Sequence, residues 1–232
     1  MGSLTERGTT SLRARFYHIS RISILAILVM FAAVVGGTRD ARATKEIVIV
    51  AFGDSLTAGY GLSASDAFPA QLESALRQAG RQVRVINGGV SGETTAGGRA
   101  RLDWVLTDKP DAAIVELGAN DALRGIDPKE ASRNLGAILS ELKKRNVRVL
   151  LAGMLAPSNL GSRYTRAFET IFPDLAAAHD VMLYPFFLDG VAGHPDLQIE
   201  DGMHPNSKGV DVMVERMLPV VEKAIAANGG PS

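Results

Sequence analysis

The sequence predicts an α/β protein in which a parallel sheet is covered by helices on both faces. Three observations point there. Five short apolar runs read continuously rather than alternating with polar residues. Segments of helical spacing separate them. Loops rich in Gly, Asn and Asp follow the runs. A strand buried on both faces must be apolar on both sides, and parallel neighbours need a crossover between them.

The first run is "IVIVAF" (47–52), and "GDSLTAG" (53–59) follows it. Phe68, Leu72, Ala75, Leu76 and Ala79 then mark one helical face. "VRVIN" (83–87) leads into "NGGVSGETTAGG" (87–98), after which Leu102 and Val105 are spaced as in a helix and the lone Trp104 is expected in the core. "AAIVEL" (112–117) leads into "GANDALRG" (118–125), with Leu135, Ile138, Leu139 and Leu142 as the next stripe. "VRVLLAGM" (147–154) precedes "LAPSNLGSRY" (155–164), and Phe168, Ile171, Phe172, Leu175 and Ala176 predict another helix. The last run, "VMLYPF" (181–186), opens a long segment that reaches "EDGMHPN" (200–206). A final helix carries the stripe Val210, Met213, Val214, Met217, Val220 and Val221, with a kink or break expected at Pro219. In a parallel sheet the ligand site lies beyond the carboxyl ends of the strands, so the loops after them should converge on one edge.

With 46% hydrophobic and 22% charged residues, the 232-residue chain can bury a substantial core. Residues 1–43 stand apart. Arg7, Arg13, Arg15 and Arg21 precede the apolar run "ILAILVMFAAVV" (24–35), and "ARA" (41–43) offers small residues at both positions a signal peptidase reads. This is the layout of a cleaved signal peptide, an uncleaved anchor being the alternative. Residues 44–232 form one domain with no repeat or linker. They hold 19 of the 25 basic and 23 of the 25 acidic residues, a net charge near −4. No basic run suits nucleic acid. The absence of cysteine rules out thiolate catalysis, thiolate metal sites and a lipid anchored on cysteine.

Nucleophilic catalysis needs a hydroxyl, an imidazole, a carboxylate to orient it, and donors for a developing oxyanion. Histidine is the scarce ingredient. His18 lies in the export segment, His179 ends a helix, and His194 sits in a Gly/Pro loop. His204 lies three residues after Asp201 in "DGMHP", a spacing that lets the carboxylate accept from Nδ1 and leaves Nε2 for a serine; Asn206 reads as a cap for the following helix. Two serines compete, Ser55 and Ser91. Neither fits the G-x-S-x-G elbow, because Thr57 and Glu93 hold its last position. Ser55 stands at the first strand-to-helix turn, where a free backbone N–H can serve an anion, and is the better nucleophile. Gly92 is the better donor. Asp54 and Asp121 read as scaffold that fixes loops, and Glu93 as either a substrate contact or a solvated charge.

"GDSL" with Ser55, the second loop with Gly92, "GAND" with Asn120, and "DGMH" with Asp201 and His204 occur in this order. Together they resemble the blocks of the SGNH (GDSL) hydrolase superfamily. The tail from "PSNLGSRY" to "DGMHPNSKG" is similar to the subgroup of exported bacterial arylesterases and acyl-thioesterase/lysophospholipases. The resemblance spans nearly all of residues 44–227. It implies a flavodoxin-like three-layer α/β/α sandwich on a five-stranded parallel sheet. It also implies a serine esterase with Ser55 as nucleophile, His204 as general base and Asp201 orienting it. The backbone N–H groups of Ser55 and Gly92 and the side-chain amide of Asn120 would make the oxyanion hole.

The expected substrates are short to medium acyl esters, thioesters or lysophospholipids, with no cofactor and no metal. Subgroup members often carry an aromatic where this chain has Leu160, so Leu160 and Gly161 are expected on the substrate wall, with 186–198 forming the other. An acyltransferase or carbohydrate deacetylase would use the same residues, and a small-molecule binder is the third class. No Walker loop, H-E-x-x-H or dinucleotide fingerprint appears, so chelation with EDTA should leave activity intact.

Overall fold

The computed structural model describes residues 45–226. The segment assigned above to a signal peptide lies outside them. Five strands form one sheet: β1 (Ile47–Gly53), β2 (Val83–Gly89), β3 (Ala112–Glu116), β4 (Arg148–Ala152) and β5 (Met182–Tyr184). All neighbours are parallel and the order is β2-β1-β3-β4-β5. β1 and β3 are buried almost end to end, as continuous apolar runs require.

Register puts the strand ends level. Gly53 pairs with Gly89 on one side and Glu116 on the other, Glu116 pairs with Ala152, and Ala152 with Tyr184. The loops that follow therefore leave from one row along the carboxyl edge. Because β2 lies to one side of β1 and β3 to the other, chain order reverses beside β1, which is where such sheets open a crevice.

Nine helices occur among the described residues: α1 (Ser55–Ala58), α2 (Phe68–Gln78), α3 (Thr95–Ala100), α4 (Leu102–Val105), α5 (Ala119–Leu123), α6 (Pro128–Lys144), α7 (Ser162–Glu169), α8 (Ile171–His179) and α9 (Ser207–Ala226). α2 packs on α9, and α6 packs on α3 and α8, which gives the two outer layers. α6 illustrates how sequence makes these elements. Asp127 caps it by accepting from the Lys129 N–H at 3.0 Å, Pro128 takes the first turn, and Leu135, Ile138, Leu139 and Leu142 are fully buried.

Three expectations change. Trp104 is 67% exposed rather than core, because α4 has a single turn and buries only Leu102 and Val105. The helix read through Phe168–Ala176 is two, divided at Thr170. Pro173 cannot donate to the carbonyl of Glu169, so a single helix would lose a rung there. Conversely, α9 runs unbroken through Pro219, which is exposed. The buried stripe of Val210, Met213, Val214, Met217 and Val221 outweighs the lost bond.

Candidate active site

β1 ends in a turn that begins α1 at once. Asp54 caps α1 by accepting from the Leu56 N–H at 3.0 Å, and this places Ser55 in its first turn at the carboxyl edge. Gly53 has no room for a side chain: a Cβ there would lie 2.1 Å from Thr57 Oγ1 and 2.6 Å from the Glu116 carbonyl oxygen.

His204 reaches the same place from the other end of the chain. The segment before α9 folds into a hairpin in which Gln198 bridges Pro205 and the Ile199 N–H donates to the His204 carbonyl at 2.9 Å. Asn206 anchors it by donating to the carbonyls of Asp196 and Gln198 and accepting from the Gly209 N–H, the capping role read from sequence. Asp201 Oδ1 accepts the N–H groups of Met203 and His204 at 2.9 and 3.0 Å. Its Oδ2 lies 2.6 Å from His204 Nδ1, and His204 Nε2 lies 2.9 Å from Ser55 Oγ. Burial pushes the Asp201 carboxyl up, but those two N–H groups and the imidazole outweigh it and lower its pKa to about 2. With Asp201 ionised and accepting from Nδ1–H, Nε2 is the acceptor for the Ser55 hydroxyl. The chain of groups can thus move a proton from Ser55 to His204 while the carboxylate faces the imidazolium that forms.

Asn120 sits in the first turn of α5 and donates from Nδ2 to Asp54 Oδ2 at 3.0 Å, leaving its second amide proton free of that bond. Gly92 holds φ at +79°, a left-handed turn that glycine adopts without strain, and its carbonyl accepts from Arg124 at 2.7 Å. Among the described residues, the backbone N–H groups of Ser55 and Gly92 donate to no protein acceptor. Ser55, Gly92, Asn120 and His204 all line one cleft of about 560 Å³. Ser91 lines it too but is exposed, and the imidazole is paired with Ser55. His179 and His194 lie outside the cleft lining.

Beneath Ser55 lies a buried acid pair. Glu116 Oε2 accepts from Thr57 Oγ1 at 2.8 Å and from the Asp54 N–H at 3.3 Å, while Oε1 is buried without a partner. Burial raises the Asp54 pKa to about 6, against the Leu56 and Asn120 donors. Burial, and then the nearby Asp54 charge, hold Glu116 well above the usual carboxylate range. Sequence reading missed Glu116, although an acid inside "AAIVEL" was a signal that something polar must meet it. Asp121 is scaffold as expected: fully buried, it accepts from the Thr95 N–H at 2.8 Å and hydroxyl at 2.6 Å, joining two loops. Glu93 neither lines the cleft nor faces solvent, because it pairs with Arg101, which also donates to the carbonyls of Gly53 and Gly88.

The structure does not bring Leu160 and Gly161 to the cleft. A 3-10 turn at Ser158–Leu160 carries the chain away, and Leu160 lines a separate depression with Arg163 and Tyr164. The wall on that side is Met154 to Pro157, and Phe186, Leu188, Ala192, Gly193 and Gln198 contribute to the other.

An α/β/α sandwich with a Ser–His–Asp hydrogen-bond chain at the carboxyl edge of its sheet is the architecture of a serine hydrolase. The chain belongs to the GDSL-like lipase/acylhydrolase family, whose model matches residues 51–212. It is 38% identical over 185 residues to an arylesterase of Vibrio mimicus, covering 79% of this chain and 90% of that protein. It is 39% identical over 185 residues to thioesterase 1/protease 1/lysophospholipase L1 of Escherichia coli K12, covering 78% and 88%. Among solved structures it resembles AlinE4, an SGNH-hydrolase family esterase, at 52% identity and TM-score 0.66, covering 78% of this chain and 97% of that one. It also resembles TesA at 36% identity and TM-score 0.73, covering 76% and 99%.

Proposed function

We propose that this serine ester hydrolase works through an acyl-serine formed on Ser55. Ser55 Oγ attacks the acyl carbonyl as its proton passes to His204 Nε2, with Asp201 holding the imidazole. The tetrahedral oxyanion is accepted by the N–H groups of Ser55 and Gly92 and the amide of Asn120. His204 then protonates the leaving oxygen or sulfur, and water repeats the sequence to release the acid. The observation that carries this reading is the continuous chain from Asp201 through His204 to Ser55 Oγ, with bonds of 2.6 and 2.9 Å.

The substrates in this reading are short- to medium-chain acyl esters, thioesters or lysophospholipids, and the cleft suits their apolar acyl groups. Its lining carries no Asp, Glu, Lys or Arg, and Leu56, Met154, Phe186 and Leu188 make it apolar. In this reading residues 1–43 direct export, and 44–232 form a single domain working in the periplasm or outside the cell. Among the described residues no helix is long and apolar enough to cross a membrane.

Hydrolysis of p-nitrophenyl esters of increasing acyl length by residues 44–232 and by Ser55→Ala is the test. Turnover should fall by at least about 10⁴-fold in the variant, with circular dichroism unchanged. Equal turnover by both proteins would remove Ser55 from the mechanism, and no turnover on any ester would remove hydrolysis of simple esters.

A further inference from the structure

We propose that Tyr60 is a positioning residue for the reaction, its ring forming the face on which the His204 imidazolium is stabilised. The inference rests on His204 acting as the base, as proposed above.

Tyr60 touches both residues of the proton transfer, the backbone of Ser55 and the ring of His204. Its backbone N–H donates to the Ser55 carbonyl at 3.1 Å, closing the turn that ends α1. Its ring centroid lies 4.7 Å from that of His204, the planes tilted by 39°. Gly59, the left-handed residue capping α1, turns the chain so that these contacts come from one residue.

The placement needs an explanation because Tyr60 is 52% exposed and adds little to the core. His204 stands on a surface hairpin, so a ring against it restricts the imidazole to the orientation that reaches Ser55. The ring also has an electrostatic role. When Ser55 gives up its proton, the charge appears on the imidazole, and an aromatic face within about 6 Å attracts a cation. Neutral His204 gains little from that attraction. The contact therefore strengthens as the transition state is approached, which raises kcat rather than binding. Besides Tyr60, the groups facing this imidazole are the Asp201 carboxylate in its own hairpin, the Ser55 hydroxyl, and the Asp54 carboxyl behind Ser55.

Tyr60 also lines the cleft, so the test must separate wall from base. With p-nitrophenyl acetate, whose acyl group is too small to fill the cleft, kcat and KM are measured for Tyr60→Leu and Tyr60→Phe, alongside Ser55→Ala and His204→Ala, all checked by circular dichroism. Tyr60→Leu is expected to lose about 3- to 30-fold in kcat with KM nearly constant, and Tyr60→Phe to recover most of it because the ring remains. A change confined to KM, an unchanged kcat in Tyr60→Leu, or an equal loss in both variants overturns the inference, the last by assigning the effect to the hydroxyl. If Ser55→Ala or His204→Ala keeps full activity, the underlying mechanism fails instead, and the two failures remain distinct.

Discussion

In the proposed mechanism Asn120 has two tasks that draw on one amide group. One Nδ2 proton is engaged by Asp54 at 3.0 Å, which fixes the plane of the amide, and the other is available toward the cleft. A donor held in place before the reaction costs no reorganisation when charge develops, and removing one such donor typically costs about 10²- to 10³-fold in turnover. Asn120→Ala should show that loss in kcat on a p-nitrophenyl ester with thermal unfolding nearly unchanged. Asp54→Ala should lose activity as well but also unfold earlier, since the α1 cap goes with it. If Asn120→Ala kept more than a third of wild-type kcat, the amide would not be an oxyanion donor. In the same way Asp201 is read as the residue that holds His204 upright, through two backbone N–H bonds and one imidazole contact on a single carboxylate.

Between elements, the loops after β1 and β2 are joined by Arg101 at the junction of α3 and α4. Its guanidinium bonds the carbonyls of Gly53 and Gly88, pairs with Glu93 beside Gly92, and lies 4.7 Å from the Phe52 ring centroid. Removing it leaves the Glu93 carboxylate enclosed without its partner, so Arg101→Met should destabilise by about 3 kcal/mol. The double variant with Glu93→Leu should recover part of that, as urea midpoints would report; additive losses would mean that the pair is not coupled. These ties were not legible in the sequence, because Arg101 and Glu93 carry no periodicity and the partners of Arg101 are backbone carbonyls. β1, β3 and β4 were legible because burial on both faces writes itself as an apolar run, and His204 with Asp201 because so few histidines compete. Leu160 lies elsewhere than the resemblance implied, because a loop's direction depends on turns such as Gly161 at φ +82°, which an aromatic at the matching position of similar proteins does not fix.

For the whole molecule, the acid pair under Ser55 links the site to stability as a function of pH. Asp54, raised to about 6, and Glu116, held well above the usual carboxylate range, both bind protons more tightly folded than unfolded. Their favourable contribution is therefore complete below about pH 4, where unfolded carboxyls are protonated, and is lost as pH rises through the folded values. Asp201 has the opposite sign: lowered to about 2, it contributes above about pH 4 and is lost on acidification. Its partial exposure keeps that contribution small. Glu116→Gln removes one titration while keeping an oxygen to accept from Thr57 and the Asp54 N–H. Wild type and variant should thus diverge as pH rises from 5 to 8, the variant gaining stability relative to wild type across that span. Urea unfolding at intervals of half a pH unit measures it. Parallel curves for the two proteins would mean that Glu116 ionises in the folded state as readily as in the unfolded chain, and that its burial beneath the nucleophile carries no energetic cost.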